Sequence, residues 1–588
     1  MSLIAFLSSC SDVLDAPTQS SLDESLIFST PVLATQSVIA INQSLFETNS
    51  YRGRFLPNYG MNTDIEWYNT SEKTTDDGAT LTGYNPSVSS TSMNTDDNAW
   101  SKMYEGIERA NLCIRGLRTF GTGNADLSQL LGEALTMRAN IYNDLVKAWG
   151  DVPARFQPIT SSTLYIKKSD RDVIYKQIIA DLAEAENLVS WPNGSTATSS
   201  TERINKAFVK GLHARICLSA AGYSQRPDGT VRRSTDPELS VAKLYPIVKQ
   251  ECLDVINSGT SQLGTFEQNF KSLSKDVVSA GHESLYELPF SNTPERGRVL
   301  YTFGVKHTTV DKYTQQAKGG VNGPLPTLFY DYDKDDVRRD ITCVPYVWTN
   351  GIQVPNKLSQ WCFGKLRYEW MNRVVISTND DGVNWQCMRL ADVYLMAAEA
   401  INELEGPATA AVYLRQIRSR AFPNNPTKVD AYMASVSGAK DVFFNAIVDE
   451  RAFEFCGEML RKADLIRWNL LSKKLNEAKT KMTALANRTG TYADLPTSIY
   501  YKTAADGESV IIYGLEHGNT DVEGVALNYT SKGWFVSNDL NNLTDAKISS
   551  LSQLDPDTRQ FWPIWQTFIS ASNGMLTNDY GYVSTPKN

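Results

Sequence analysis

Apolar residues recur at steps of three and four through the stretch 388–468. Leu390, Val393, Ala397, Ile401 and Leu404 make one stripe. Gly406 and Pro407 stop and restart the chain, and Ala410, Leu414 and Ile417 make a second stripe. A helix that turns straight back in this way is an αα-hairpin. Phe444, Ile447, Ala452 and Phe455 add a third stripe. The same periodicity predicts helices over 26–48, from Trp100 onward, over 128–149, 170–189, 204–223, 241–258 and 471–485. Ser128 is read as a cap, and Gly150 with Pro153, and later Gly259, as stops. Periodicity fades between 262 and 385, where Gly, Pro and Asn are frequent and only 284–289 and 374–376 read as short strands. A second polar stretch, 51–98, is a loop of a length that is usually functional or disordered. Helix pairs at both ends with irregular loops between them predict a mainly α fold. The expected architecture is a tetratricopeptide-like superhelix of helix pairs, with long irregular loops and a few short strands.

Composition changes this picture little. The chain has 588 residues, 41% apolar and 21% charged, which suits an ordinary globular body. A net charge of −9 argues against a nucleic-acid surface, which needs a dense Lys/Arg patch. No apolar run approaches the ~20 residues of a membrane helix. The N-terminus differs from the rest. Leu3 to Leu7 is apolar, Ser8 and Ser9 are small, and Cys10 follows, as at the end of a bacterial lipoprotein signal that lacks its basic start. The expected organisation is therefore a signal remnant over 1–9, a lipid-anchored tether over 10–25 beginning at Cys10, and one domain over 26–588. That domain divides into a helical part 26–260 carrying the loop 51–98, a loop-rich ligand side 261–386, and helical pairs with a tail over 387–588. Cys113, Cys217 and Cys252 fall in apolar helical stretches and read as buried thiols. No CxxC spacing and only four His argue against a metal framework.

Catalytic motifs are absent: no G-x-S-x-G, phosphate loop, HExxH or Cys/His couple stands out. The run from Asp331 to Asp336 resembles the start of a calcium loop, but Asp336 stands where Gly is needed and Thr342 where Glu is needed. Asp336 is better placed to pair with Arg338 or Arg339. Glu450, Glu454 and Glu458 lie four apart, with Arg451, Arg461 and Arg467 nearby, and are expected to lock helices together rather than to do acid–base chemistry. Trp100 is expected to be a core anchor. The informative aromatics are those in loops. Flat rings take the faces of sugars, and Asn, Asp and Arg fix the hydroxyls. Asp64, Trp67, Tyr68 and Tyr84 in the first loop, with Trp348 and Trp361 in the second, are the expected glycan platform.

Five stretches resemble the SusD/RagB-like outer-membrane lipoproteins of Bacteroidetes. These are GEALTMRANIYNDLVKAWGDVP (132–153), SDRDVIYKQIIADLAEA (169–185), INKAFVKGLHARICLSAA (204–221), MRLADVYLMAAEAINEL (388–404) with LRQIRSRA (414–421), and DERAFEFCGEMLRKADLIRW (449–468). Three positions depart from the family pattern. Met459 stands where Gly is usual, Trp565 where a second Pro is usual, and NDYGY (578–582) varies the usual ending. The resemblance implies a lipid-anchored protein on the outer face of the outer membrane, non-catalytic and without cofactor or metal. It implies oligosaccharide or polysaccharide binding as the lid of a SusC-like, TonB-dependent transporter, through the regions 67–84 and 330–370. The alternative is a lid for peptide or other non-sugar cargo, acting mainly through protein–protein contacts.

Overall fold

The computed structural model describes residues 23–293, 295–534 and 542–583. Cys10 and the expected tether up to residue 22 lie outside the described residues. The mainly α architecture is as expected. Helices Pro31–Gln43, Ala99–Phe120, Ala125–Trp149, Arg171–Ala185, Lys206–Ala221 and Val241–Ser258 each pack on the next. The Val241–Ser258 helix then packs on Leu390–Glu405, which pairs with Pro407–Ala421 and also touches Lys440–Phe455. The array is thus continuous across the whole central segment. No helix among the described residues is long and apolar enough to cross a membrane.

Local chemistry sets the boundaries. The expected first helix is two helices, Glu24–Ser29 and Pro31–Gln43, because Pro31 has no N–H to continue the ladder. Ser128 is not the cap of its helix. Asn124 takes that role, accepting from the backbone N–H groups of Asp126 and Leu127. Gly259 does end its helix in the left-handed region, at φ 63°. Gly150 follows the Ala125–Trp149 helix at φ 71°, and a Cβ there would lie 2.5 Å from the Tyr580 hydroxyl. That hydroxyl accepts from Asp151 N at 2.9 Å and from Arg171 Nη2 at 2.7 Å. The turn around Tyr580 is thereby tied to the junction of the Ala125–Trp149 and Arg171–Ala185 helices. Met459, where the family usually has Gly, holds φ 60°, a conformation that costs a side-chain-bearing residue about 1–2 kcal/mol. Trp100 is buried against Trp149, as a core anchor should be.

The central segment is held by a strand pair at its two ends. Ser284–Leu288 runs antiparallel to Trp385–Arg389. Between them lie short two-stranded ladders: Cys343–Val344 with Cys362–Phe363, and Tyr346–Thr349 with Ile352–Pro355. A small second core of Val305, Val344, Val347, Trp348 and Cys362 fills this region. Val375, in the expected strand 374–376, makes only an isolated bridge to Thr314.

The acidic run at the end of the Lys440–Phe455 helix and in the turn after it is the centre of a buried ionic lock. Glu454 accepts from Arg338 at 2.8 Å and also from Arg389 and Arg420. Glu450 takes Arg338 at 2.7 Å and Arg418 at 3.0 Å, and Glu458 takes Arg389 at 2.7 and 2.9 Å together with Lys365. Asp336 pairs with Arg338 at 2.6 Å, and Glu283 with both Arg389 and Arg420 at 2.8 Å. The cations Lys365, Arg338, Arg389, Arg418 and Arg420 therefore balance the carboxylates Asp336, Glu283, Glu450, Glu454 and Glu458. Burial alone would raise the Glu454 carboxyl, but Arg420, Arg389 and Arg338 outweigh it and hold the group well below the usual range. Beside this cluster, Arg451 bridges Asp392 at 2.6 Å and Asp464 at 2.7 Å. The Glu450, Glu454 and Glu458 run thus joins several helices and the loop before 340 at one point.

Candidate functional site

Strand Glu66–Tyr68 pairs antiparallel with Asn322–Pro324, and this brings the first long loop against the central segment. Successive side chains on a strand point to opposite sides. Trp67 points in, is 0% exposed, and has the Lys547 ammonium 4.1 Å above its ring. Tyr68 points out and is half-buried. The other expected rings are also inside. Tyr84 is 1% exposed and donates its hydroxyl to Asn62 O at 2.8 Å. Trp361 is 0% exposed, with Phe329 at 5.5 Å and Trp534 at 6.0 Å. Trp348 is 3% exposed, stacked on His307 at 5.5 Å with the edge of Tyr313 at 5.3 Å.

The expected glycan platform of Trp67, Tyr84, Trp348 and Trp361 is therefore corrected: none of these rings offers a face to a ligand. The physical reason is that these segments carry cores of their own. In 51–98, Tyr51, Phe55 and Tyr59 stack as a ladder at 4.8 and 5.0 Å, and large rings are the cheapest way to bury apolar area under irregular backbone. Asp64 is also engaged, accepting both arms of Arg461 at 2.6 and 2.7 Å. It borders a cleft of about 210 Å³ in which Asp331 pairs with Lys481 at 2.6 Å. Burial raises the Asp331 and Asp449 carboxyls there.

Lys462, next to Arg461, rests on two rings, 5.3 Å from Tyr59 and 4.6 Å from Tyr84, with no carboxylate in pairing range among the described residues. Burial pushes its ammonium down to about 7. The unfolded chain, with Lys near ~10.4, binds the extra proton between the two values, so this group adds stability as pH rises from about 7 toward 10. Lys462→Met is expected to be more stable than the parent below pH 7, by on the order of a few kcal/mol, with the gap closing by pH 10. Urea titrations of both proteins at pH 6 and pH 9 check this. A gap that is equal at the two pH values would count against it.

The side chains that do face solvent around Tyr68 form a mixed aromatic and polar patch. The Tyr68 hydroxyl lies 3.3 Å from Asp76 Oδ2, and Asp76 caps the helix Asp77–Thr82 by accepting from Gly78 N at 2.7 Å. A Cβ on Gly78 would come within 3.0 Å of the Tyr68 ring, so glycine keeps this side open. Burial first, and then Asp76, raise the Tyr68 phenol above its ordinary value, and the helix that carries Tyr301 packs on Asn322–Pro324, the strand paired with Glu66–Tyr68. Tyr301 is half-buried on the short helix Val299–Phe303, with the Arg298 guanidinium 4.3 Å from its ring. Arg54 lies on the adjoining turn Tyr51–Phe55. Asp77 is held below the usual carboxylate range because bonds from Ser92, Ser90 and Thr91 outweigh its burial. Of the expected site residues only Tyr68 belongs to this patch. Tyr301, Arg54 and Arg298 carry no sequence motif of ligand binding. The one available signal was the repeated tripeptide Arg-Gly-Arg at 52–54 and 296–298.

A separate buried cluster of Glu186, His213 and Glu251 has the donor types of a metal site. The Lys210 ammonium already sits on it, 2.8 Å from Glu186 and 2.9 Å from Glu251 and Asp254, and supplies the cation.

Two family models match in order along the chain. One, described as the SusD family, covers 366–582, and one described as starch-binding associating with outer membrane covers 13–218. The chain belongs to the SusD/RagB-like family. Curated relatives of this SusD-like chain include two SusD-like proteins of Formosa agariphila. One is 24% identical over 409 residues, 65% of this chain and 72% of that protein. The other is 25% identical over 481 residues, 79% of this chain and 89% of that protein. A SusD homolog from Bacteroides thetaiotaomicron shares the fold at a TM-score of 0.72 and 18% identity, covering 95% of this chain and 98% of that one. Surface glycan-binding protein A of the same species, in complex with laminarihexaose, aligns at a TM-score of 0.58 and 16% identity over 93% of this chain and 99% of that one.

Proposed function

We propose that this SusD-like chain binds a glycan at the outer cell surface without cleaving it, and delivers it to a SusC-like, TonB-dependent transporter. The observation that carries the binding site is the patch where strand Glu66–Tyr68 meets the central segment. Two outward tyrosines, Tyr68 and Tyr301, stand among Asp76, Asp77, Arg54 and Arg298. Flat rings give a sugar its stacking face, and the charged groups around them give its hydroxyls fixed partners. Family membership and the glycan-binding structural relative support the same reading. The carboxylates of the cleft beside Asp64 are paired with Arg461, Lys481 and Lys474, which suits a scaffold better than an acid–base couple. Cys10 is the lipidation site in this reading, which would fix the chain to the membrane.

Affinity electrophoresis and calorimetry on a polysaccharide panel test the proposal. The parent is expected to bind a glycan and release no product. Tyr68→Ala and Tyr301→Ala are each expected to weaken that binding by roughly 1–3 kcal/mol, the range for loss of a stacked ring, at unchanged thermal stability. Full affinity in the double variant would remove the patch from the reading. A chain that binds no glycan at all would remove the reading itself.

A further inference from the structure

We propose that the glycan is anionic, and that Arg54 and Arg298 receive its carboxylate or sulfate groups. This rests on the patch being the glycan surface. The inference comes from a pattern that the other enclosed arginines follow and that enclosed Arg52, with half-buried Arg54 and Arg298 beside it, departs from. Buried arginines elsewhere are matched to acids: Arg138 to Asp181, Arg171 to Asp151, Arg389 to Glu283, Glu454 and Glu458, Arg461 to Asp64, and Arg467 to Glu399. Such pairing is what burial of a guanidinium demands.

The two Arg-Gly-Arg tripeptides come together beside Tyr301, and three of their four arginines lack an acidic partner among the described residues. Arg52 is buried and spends its donors on neutral oxygens: Gly297 O at 2.9 Å, Thr48 Oγ1 at 2.9 Å, Asn379 Oδ1 at 3.1 Å, and Phe46 O. Arg54 donates to Ser92 O at 3.1 Å, Gly53 O at 3.2 Å and Asn49 Oδ1 at 2.6 Å. Arg298 reaches Asn379 Oδ1 at 3.5 Å, so it shares one amide oxygen with Arg52. Its other observed contact is the face of Tyr301. Arg296 alone meets an acid, Glu47, at 3.7 Å.

The nearby carboxylates are committed elsewhere. Asp381 accepts from Leu300 N at 2.9 Å, Asp77 from Ser92 N at 2.8 Å, and Glu295 from Ser377 at 2.6 Å. The crowding registers on the cations. Burial, then Arg298 and Arg296, bring Arg52 down to about 10, and burial followed by Arg298 lowers Arg54. Both glycines are sterically required. A Cβ on Gly53 would meet Thr48 O at 1.9 Å, and one on Gly297 would meet Gly382 N at 2.3 Å. The close approach of like charges is therefore built into the backbone.

Arg54 and Arg298 are half-buried, Arg298 against the Tyr301 ring and Arg54 on Ser92, which bonds Asp77, whereas Arg52 is enclosed and holds the two turns together. Arginine forks match carboxylate and sulfate oxygens in two-pronged geometry. A sugar stacked on the tyrosines would bring an acidic substituent within their reach and supply the countercharge that the protein withholds.

A glycan array of neutral, uronate-containing and sulfated polysaccharides tests this, followed by calorimetry on matched pairs. Polygalacturonate is compared with its methyl ester, and a sulfated galactan with its desulfated form, which separates the carboxylate arm from the sulfate arm. The parent is expected to favour the charged member of one pair by roughly tenfold or more, with a preference that shrinks as salt rises. The double variant Arg54→Gln with Arg298→Gln is expected to lose that preference, and Arg298→Lys to keep part of it. Arg52 is left intact so that the turns stay folded, and thermal unfolding of each variant checks this. Binding confined to neutral glycans and dependent on Tyr68 and Tyr301, or an undiminished charge preference in the double variant, overturns this proposal alone. Absence of binding to every glycan overturns it together with the glycan reading.

Discussion

Glu454→Leu is expected to destabilise the protein by roughly 3–5 kcal/mol, or to prevent it from folding. Leu fills most of the volume, so the effect is electrostatic. The substitution leaves Arg338, Arg389 and Arg420 facing one another in a site with no water to screen them. Glu450, Glu458, Glu283 and Asp336 remain, but then face an excess of positive charge. The pH dependence carries the same signature. The Glu454 carboxyl is held well below its unfolded value near 4.3, so its stabilisation is present above that value and is lost as pH falls through the acid range. Urea unfolding from pH 7 down to pH 3 should show the parent losing stability more steeply than Glu454→Gln. Parallel curves with similar midpoints at pH 7 would mean that the lock contributes little.

Trp67→Ala and Tyr68→Ala are adjacent changes with opposite expected consequences. Trp67 is enclosed, and emptying its site removes a large apolar surface and leaves a cavity beneath Lys547, at a cost of about 3–5 kcal/mol of stability. Lys547 sharpens the loss. Burial lowers its ammonium to about 8, and the indole face is one of its contacts, alongside Glu72 at 3.0 Å and Ser71 at 3.1 Å. Tyr68, only partly buried on the other side of the strand, should cost less stability and most of its effect should fall on ligand binding. Thermal unfolding and glycan affinity measured side by side on the two variants separate these outcomes. Reduced affinity in a Trp67→Ala protein of unchanged melting temperature would reverse the assignment.

The scaffold was readable in the sequence because helices write a period into it. Most residues of the 388–468 stripes and the stop at Gly259 appear in the structure where the spacing put them, but Leu404 is exposed and Phe443 rather than Phe444 is the fully buried ring. The Glu450, Glu454 and Glu458 run was readable as a lock for a related reason: like charges four apart, two of them on the Lys440–Phe455 helix and the third in the turn after it, need cations from elsewhere. Its partners were not: Arg451, Arg461 and Arg467, expected to offset it, pair instead with Asp392, Asp464, Asp64 and Glu399, and the cations that do balance it, such as Arg338, Arg389 and Arg420, are distant in sequence. The site was read poorly. A tryptophan in an irregular segment looks the same whether it caps a local core or faces water, and Trp67, Trp348 and Trp361 all cap cores. Nothing marks Tyr301 as the neighbour of Tyr68 until the pairing of Glu66–Tyr68 with Asn322–Pro324 is known. Long-range pairing of short strands leaves no period to read.

The strand pair Ser284–Leu288 with Trp385–Arg389 has a consequence for how such a protein changes over generations. Both ends of the intervening segment meet at one fixed point on the helical array, beside the ionic lock. Closing a flexible loop between fixed ends costs only about 0.6 kcal/mol more for each doubling of its length. Stretches of 289–384 between its anchor points are therefore free to lengthen or shorten, as long as Asp336, Arg338 and Lys365 keep their places in the lock.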